Sequence, residues 1–421
     1  MIIRPPLELI QDLNIDAGRL VAGTSVPVVL FPATGSTAVR VVFLLNAGYL
    51  DDTLPEESSL LFQILDKAHP QLPALEFQGQ LEELGAHLQA SAESLYSEVV
   101  VECCSQNLKN VLKLVKEVLL HYKAKPEELS LQQNILERHL AFQLARPASL
   151  IAYHLRAWKY GDFFPGVRVP YPQEVHSIVA SLLEQHWHRI FPHKLSAVCI
   201  CGDIPPDFEP AWLSPLPSQP PPVQPLKFLL NSQSTKGPIT VCTEHGEQVA
   251  LRLVRRLPVL DDLREITALR VAVTLLGGFF GSRLMRTLRE KEGLTYGIHA
   301  RLSRFPDIQF LEISTEVDTS RYQEALNLIW KEMETLTILP PDPLEITEVK
   351  NYMAGRIISA YDGTFRNADR WIARHKAKIS ESEEIDYIKT LASITLEDVQ
   401  KAAAKWLNPE HFTLLHTVHA K

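Results

Sequence analysis

An arginine and a tyrosine seven residues apart, Arg289 and Tyr296, stand in the stretch Gly277 to Tyr296, which reads GGFFGSRLMRTLREKEGLTY. Its apolar residues recur at helical spacing after the first glycines, and Gly293 is typical of the left-handed residue that ends a helix. The alternation that follows predicts a strand. Arg289 therefore falls in the last turn of a helix and Tyr296 early on the strand that folds back from it. A turn of a few residues can bring the guanidinium and the phenol to the same place.

Spacing alone leaves a structural interpretation of this pair open. The C-terminal end of a helix dipole favours a cation such as Arg289. Tyr296 would then be a half-buried aromatic residue of the strand.

The run G-G-F-x-G-S-R-L-x-x-x-L-R-E-K-E-G-L-T-Y resembles the C-terminal-half signature of the M16 (pitrilysin-type) zinc peptidases, which include the mitochondrial processing peptidase. In that family the arginine and tyrosine of R-E-x-x-G-L-x-Y hold substrate near the catalytic zinc. The resemblance gives these roles to Arg289 and Tyr296. Glycines let a peptide backbone approach closely, so we also predict a substrate-binding role for three glycines of this run: Gly277, Gly278 and Gly281.

The zinc half of the family site is missing from the sequence. Active M16 peptidases carry H-x-x-E-H on the first helix of the first half, where two histidines bind zinc and the glutamate is the general base. The corresponding positions are Leu60, Gln63 and Ile64. Leucine and isoleucine cannot bind a metal, and glutamine cannot take up a proton at neutral pH. The sequence therefore predicts that this chain binds no metal.

The remaining candidate ligands are more typical of structural residues. Glu137 falls where the family has its third zinc ligand, but without other ligands it is predicted to be a surface carboxylate. His69 has no second histidine four residues away. The densest histidine cluster contains His186, His188 and His193, and residues two apart on a helix point to different faces.

Composition excludes several classes of protein. The chain has 421 residues, 46% of them hydrophobic and 22% charged, with a net charge of −8. These values are ordinary for a globular protein and argue against nucleic-acid binding. We expect no signal peptide, because the N-terminus MIIRPPLELIQDLN has no apolar core of sufficient length and contains prolines. We expect no membrane span, because no run approaches the about 20 apolar residues that one requires. The five cysteines lack C-x-x-C spacing and indicate reduced thiols in a cytoplasmic protein.

The periodicities predict an alternation of strands and helices through the first half. They indicate strands over 20–31 and 37–47, helices over 55–68 and 74–85, a strand pair over 88–103, helices over 108–121, 127–158 and 172–191, and a strand over 196–201. The helical stretch 127–158 is predicted to be broken near Pro147. A proline-rich segment follows, PPDFEPAWLSPLPSQPPPVQP, which disfavours helix and inner strand. The predicted domains are 1–204 and 226–421, joined by a linker over 205–225.

The second half repeats the first at an offset near 210 residues. Leu50-Asp51-Asp52 matches Leu260-Asp261-Asp262, and LEELGAHLQA matches LREKEGLTYGI. Two further matches follow in the same order, VLKLVKEVL with ALNLIWKEMETL and FPHKLSAVCICGDI with LNPEHFTLLHTVHA. Repeats of this length indicate two copies of one domain. Each copy predicts an α+β fold with an antiparallel-rich sheet covered by helices, in agreement with the two-half clam shell of the M16 resemblance.

The resemblance implies a specific role for a chain with the arginine and tyrosine but without the zinc motif. Some M16 peptidases are heterodimers in which one subunit has the metal and the other donates this pair. The chain resembles the second subunit of an M16B enzyme, with zinc held by an H-x-x-E-H partner and a peptide as substrate. Two alternatives stay open: a structural protein like the core subunits of the cytochrome bc1 complex, and a homodimeric peptide-binding or chaperone-like chamber.

Overall fold

The computed structural model describes residues 4–13, 15–161, 163–213, 237–243 and 247–419. The first sheet contains β1 (Arg19–Leu20), β2 (Val28–Pro32), β3 (Ala38–Leu45), β4 (His87–Ala92), β5 (Ser97–Cys104) and β6 (Leu195–Gly202). Its strand order is β1-β2-β6-β3-β5-β4. β2 and β6 are parallel, whereas the other neighbouring strands are antiparallel.

The second sheet repeats this arrangement. It contains β7 (Ile239–Thr243), β8 (Gln248–Leu257), β9 (Ile298–Arg304), β10 (Gln309–Asp318) and β11 (Thr413–His419). Its order, β7-β11-β8-β10-β9, matches β2-β6-β3-β5-β4 strand for strand, and β7 and β11 are again the parallel pair. β8 begins at 248 and β3 at 38, so the offset is 248 − 38 = 210. The structure thus confirms the predicted duplication and the α+β class.

The helices of the first half begin with α1 and end with α7. They are α1 (Pro6–Leu9), α2 (Glu57–Gln63), α3 (Ala74–Glu83), α4 (Leu108–His121), α5 (Pro126–Leu144), α6 (Pro147–Tyr160) and α7 (Ala180–Ile190). α5 and α6 each start with a proline, whose fixed φ suits the first helical turn. The inner face predicted for α4 is buried, with Leu112, Val115 and Leu119 at most 1% exposed.

Six α-helices of the described residues belong to the second half. They are α8 (Leu263–Val273), α9 (Tyr322–Ile338), α10 (Pro343–Ala360), α11 (Thr364–Ala377), α12 (Glu381–Ser393) and α13 (Leu396–Trp406). Side chains cap several of their first turns. The Asp262 carboxylate accepts the backbone N–H groups of Arg264 and Glu265 at the start of α8, which stabilises the helix end.

Each half contributes a helix to the sheet of the other half. On α11, Ala368 and Ile372 pack against the first sheet, in a buried cluster with Phe31 and Val42. On α6, Ile151 packs in turn against the second sheet, in a cluster that also contains residues of β8 and β11. Both sheets are therefore covered on two faces, and the two halves interlock through apolar contacts.

The N-terminal segment also lies on the second half. Ile10 is 1% exposed within the core of the second half. The backbone N–H of Leu7 donates to Asn351 Oδ1 on α10 at 3.2 Å. The predicted boundary at residue 204 stays a prediction, and residues 214–225 of the predicted linker lie outside the described residues.

The structure corrects three predicted elements. The strand over 20–31 is two strands, β1 and β2, and the helix over 55–68 becomes α2 followed by a 3₁₀ turn, Leu65–Lys67. The helix over 172–191 is a 3₁₀ segment, Pro172–Ser177, and then α7. Gln133 Nε2 explains this break, because it donates to the carbonyls of Val175 and Ile178, which a continuous helix would use itself.

None of the helices in the described residues combines the length and the apolar character that crossing a bilayer requires.

Candidate functional site

Two π-helical segments, Thr274–Gly278 and Met285–Lys291, join α8 to β9. Gly277 interrupts the first with φ −159° and ψ 17°. The second ends before Gly293, whose φ of +59° is the left-handed conformation that the sequence predicts there. π-helical turns are rare and often occur at functional sites, so the local geometry marks this stretch as a candidate site.

Tyr296 lies in the turn before β9, with 90% of its surface exposed. The sequence predicts a strand from about residue 294, but β9 begins at Ile298. The hydroxyl of Thr295 explains the difference. It accepts the N–H of Gly297 at 3.1 Å and thereby closes a local turn. Tyr296 is therefore not the half-buried strand aromatic of the structural interpretation.

Arg289 is exposed in the last turn of the second π-helical segment. Its guanidinium carbon lies 5.0 Å from the ring centre of Phe280, a cation–π distance, and Phe280 is itself 61% exposed. Within the described part of the chain, the polar atoms of Arg289 and Tyr296 have no hydrogen bond or ion pair, and the two side chains do not hydrogen-bond to each other. Both polar ends are therefore free for a ligand.

The neighbouring arginines have a structural role. Arg283 and Arg286 both pair with Glu345 on α10, each through a contact of 2.7 Å. Burial opposes ionisation of Glu345, but the hydrogen bonds from Arg283 outweigh it and lower the pKa of the carboxyl. Leu284, Met285 and Leu288 are buried on the opposite face, as the periodicity predicts, so the segment is anchored on two sides.

The three glycines differ in their surroundings. A Cβ on Gly277 would lie 2.8 Å from the backbone nitrogen of Ala300, so close packing on β9 already requires a glycine there. A Cβ on Gly281 would lie 2.8 Å from the ring of Phe279. Gly278 is half-buried and lines a cavity in the second half. Of the three, Gly278 is therefore the one with an open cavity beside it.

The positions of the missing zinc motif belong to the first core. Leu60 is fully buried and Ile64 is 1% exposed, and both pack in its main apolar cluster. Gln63 is exposed at the last residue of α2. These side chains supply neither a ligand nor a base, so they do not fit the family's zinc.

The other candidate ligands have internal partners. Glu137 on α5 pairs with His176, whose Nε2 lies 3.0 Å from the carboxylate at the protein surface. His69 is 5% exposed, and its Nδ1 accepts the backbone N–H groups of Gln71 and Leu72. Burial lowers the pKa of His69. Both residues therefore have structural roles.

A buried cluster at the start of α2 was not predicted as a site. Possible ligand atoms of Asp52, Glu57 and His186 lie within 4.8 Å of one another, and all three side chains are buried. His186 Nδ1 lies 2.9 Å from Glu57 Oε1 and 3.0 Å from Nη2 of Arg189. The sequence treats His186 as a structural residue and separates it from Glu57 by 186 − 57 = 129 positions. Only the fold brings them together.

The carboxylates of this cluster already accept hydrogen bonds from the first turn of α2 and the residues before it. Asp52 accepts the hydroxyl and the N–H of Ser58, and Glu57 Oε2 accepts the N–H of Thr53 at 2.6 Å. Burial raises the pKa of Asp52 well above its usual range. Burial also opposes ionisation of Glu57, but His186 and Thr53 outweigh it and lower that pKa. The positive guanidinium of Arg189 beside His186 would repel a bound metal cation. The cluster is therefore better suited to stabilising the start of α2 than to binding a metal.

Comparison with known proteins agrees with this geometry. Residues 178–353 match the family model described as "Peptidase M16 inactive domain". The "Probable inactive metalloprotease YmfF" of Bacillus subtilis is 22% identical over 162 residues, which is 38% of this chain and 37% of that protein. The "Uncharacterized zinc protease YmxG" of the same organism is 20% identical over 354 residues, 80% of this chain and 82% of that one. The chain thus matches little more than a third of the length of YmfF.

A solved structure shows the same fold over almost the whole chain. The peptidase M16 inactive domain from Pseudomonas fluorescens superposes with a TM-score of 0.81 at 20% identity, covering 97% of this chain and 100% of that one. The predicted clam-shell fold of two homologous halves is confirmed. The chain is similar to M16 peptidases, and its residues 178–353, from α7 to α10, match the model described as an inactive domain.

Proposed function

We propose that this chain is the non-metal-binding subunit of a heterodimeric M16B zinc peptidase. Arg289 and Tyr296 would enter the active site of a partner subunit that carries H-x-x-E-H and the zinc. There Tyr296 would donate a hydrogen bond to the developing oxyanion of the scissile carbonyl, and Arg289 would orient the substrate backbone. Gly278, which is half-buried, would face the peptide.

One contrast carries the proposal. At the positions where the family has zinc ligands, Leu60 and Ile64 are buried in an apolar core. Tyr296, in contrast, is 90% exposed, and its hydroxyl has no hydrogen-bond partner among the described residues. A tyrosine ring exposed to this degree gives little to the stability of its own chain. An exposed arginine in the last turn of a π-helical segment and an exposed tyrosine in the turn that follows are better suited to a ligand or partner than to a core.

The proposal includes the compartment and the substrate. All five cysteines are free thiols, and three of them are buried. Free thiols are typical of a reducing compartment, so we place the heterodimer in the cytoplasm. The substrate is a peptide, and the chain uses neither nucleic acid nor a membrane.

The first prediction concerns metal content. We expect the isolated chain to contain no stoichiometric zinc and to hydrolyse no peptide, because Leu60 and Ile64 offer no ligand atoms. Elemental analysis of protein purified without chelators measures this. The structure also identifies the variant that makes the result decisive, His186→Ala, since His186 belongs to the buried cluster with Asp52 and Glu57. About one zinc per chain, lost in His186→Ala, would contradict the proposal.

The second prediction concerns assembly. We expect a one-to-one complex with an H-x-x-E-H relative, formed on co-expression and stable to size-exclusion chromatography with mass measurement. The variant that tests this surface is Phe280→Ser, Tyr296→Ser, because both rings are exposed in the same segment as Arg289. It should weaken the complex without changing the fold. If the two chains elute separately and this chain forms a homodimer, the heterodimer is wrong.

A second candidate function has one observation in its favour. The family model that matches residues 178–353 describes an inactive domain. A structural or peptide-binding M16-like protein, comparable to a core subunit of the cytochrome bc1 complex, would also have Leu60 and Ile64 in place of zinc ligands. The two functions separate on mutation, because only the peptidase subunit needs the hydroxyl of Tyr296.

A further inference from the structure

A strongly basic cavity of about 530 Å³ lies in the second half, beside Gly278. β9, α10, α11 and α12 contribute its walls. Its described lining contains only one carboxylate, Glu384, and six arginines, namely Arg270, Arg301, Arg304, Arg356, Arg370 and Arg374. A cavity of this volume is in the range of small-molecule sites.

The single carboxylate is already engaged. Glu384 is 2% exposed, pairs with Arg370 through its Nε at 2.8 Å, and accepts the hydroxyl of Tyr361 at 3.0 Å. Burial opposes the charge of Arg370, but Glu384 outweighs it and raises the pKa of the guanidinium. Glu384 therefore neutralises one arginine and leaves the others without compensation from the cavity wall.

Two more of the arginines also have partners within the protein. Arg301 pairs with Glu312 at 2.9 Å, and Arg270 lies 4.6 Å from the ring centre of Tyr387. Arg304 only approaches Glu383, at 4.0 Å. Its Nε is buried and has no hydrogen-bond partner within the residues that the structure describes.

Arg374 is a cavity residue whose guanidinium has N–H donors without acceptors among the described residues. It is 4% exposed, and both its Nε and its Nη1 are buried without a hydrogen-bond partner among the described residues. An unpaired buried guanidinium is costly, because desolvation is not repaid by a partner. Its planar set of N–H donors matches the two oxygens of a carboxylate or a phosphate group.

Arg374 also lines a second cavity, of about 690 Å³. Arg189 and Lys194 of the first half and Lys378 of the second half contribute to its wall. Lys194 pairs with Asp51. The described lining of this second cavity also contains Asp307, but its cations outnumber its carboxylates. Arg374 therefore has an excess of positive charge near it in both cavities, which favours a bound anion.

We propose that Arg374 anchors a binding site for a small multivalent oxyanion carrying phosphate or carboxylate groups. The anion occupies the cavity beside Gly278, with Arg374 as a bidentate donor at its buried end and Arg356 at its exposed side. The site belongs to this chain alone and does not depend on a zinc-bearing partner. It goes beyond the proposed peptidase role.

The experiment uses the isolated full-length chain in a buffer free of phosphate, sulfate and carboxylate. Pyrophosphate and citrate are titrated separately by isothermal calorimetry at constant ionic strength, so that the two arms distinguish the phosphate from the carboxylate source. We expect saturable one-site binding of at least one probe. Arg374→Gln is expected to weaken it by about 10- to 100-fold, the loss typical of charge-assisted hydrogen bonds.

Two further variants complete the test. Arg356→Gln changes an exposed side chain of the wall and is expected to reduce affinity even if Arg374→Gln does not fold. Arg138→Gln removes an exposed arginine from α5, away from the cavity, and should bind like the wild type. The proposal is overturned if neither probe binds saturably, or if affinity is the same in Arg374→Gln, Arg356→Gln and Arg138→Gln.

Discussion

In a reconstituted heterodimer, Tyr296→Phe is expected to lower turnover by about 10²–10³, because removing one oxyanion donor costs on the order of 3 kcal/mol. The substitution deletes only the hydroxyl. Since Tyr296 is 90% exposed and its hydroxyl has no partner in the described residues, the stability of the subunit should not change. The measurement is peptide hydrolysis at saturating substrate, with zinc content and mass of the complex confirmed for each sample.

The chain supplies a matched control in Tyr171, an exposed tyrosine of the first half with 69% of its surface accessible. Tyr171→Phe should leave turnover unchanged. Arg289→Lys keeps the charge but loses the planar set of donors, so it should also lower activity if Arg289 makes a bidentate contact. Wild-type turnover in an intact Tyr296→Phe complex would mean that the pair is only part of the fold.

The second large effect is expected on stability, from the ion pair that joins the two halves. Lys159 on α6 lies 2.7 Å from Glu312 on β10, and these side chains are only 11% and 4% exposed. Lys159→Met should lower the free energy of unfolding by about 3 kcal/mol, because removing one partner of a buried pair leaves the other charge poorly compensated. Arg301 lies 2.9 Å from the same carboxylate and still compensates part of its charge in the variant. We therefore expect a loss at the lower end of the range for broken buried ion pairs.

Denaturant unfolding of the isolated chain measures this loss, with Lys401→Met as the control. Lys401 pairs with Glu397 on α13, but both side chains are 73% exposed, so the expected loss is below about 1 kcal/mol. Equal losses of unfolding free energy in the two variants would show that the buried Lys159–Glu312 pair stabilises the fold no more than an exposed pair does. Because the two halves share apolar clusters, we expect them to unfold together in one cooperative transition.

The same pair gives a pH dependence. Burial opposes ionisation of Glu312, but Lys159 and Arg301 outweigh it and hold its pKa below the ordinary value of 4.5. The unfolded chain therefore binds the proton more readily than the folded chain does. The contribution of Glu312 to stability is fully present above pH 4.5 and is lost as the pH falls through the lowered pKa.

The sequence predicts most of the architecture because the duplication repeats local signals. Gly85 and Gly293 illustrate this, with φ of +62° and +59° at equivalent helix-to-strand turns. Apolar periodicity predicts the buried faces of α4 and of the segment around Leu288. These features depend on residues close in the chain, and such local patterns are what periodicity can detect.

Long-range contacts explain what the sequence does not reveal. The break before α7 depends on Gln133, which lies more than 40 residues away from the carbonyls that it binds. The exposure of Tyr296 depends on a local turn closed by the Thr295 hydroxyl. The alternation of residue types around Tyr296 is the same for this turn as for a strand, so the sequence pattern does not reveal the turn. The unpaired Arg374 is visible only when α11 is placed against β9 and α12. The burial of a side chain and the absence of its hydrogen-bond partners depend on the folded structure, so the sequence pattern does not reveal them.

The central claim is that Arg289 and Tyr296 complete a zinc site in another subunit. The most direct measurement is peptide hydrolysis by a fixed amount of the H-x-x-E-H partner as this chain is added. We expect almost no activity from either chain alone, a rise that saturates at one equivalent, and a saturated complex with Tyr296→Phe that stays about 10²–10³ below the wild type. A partner that is fully active alone and unchanged by this chain would contradict the account.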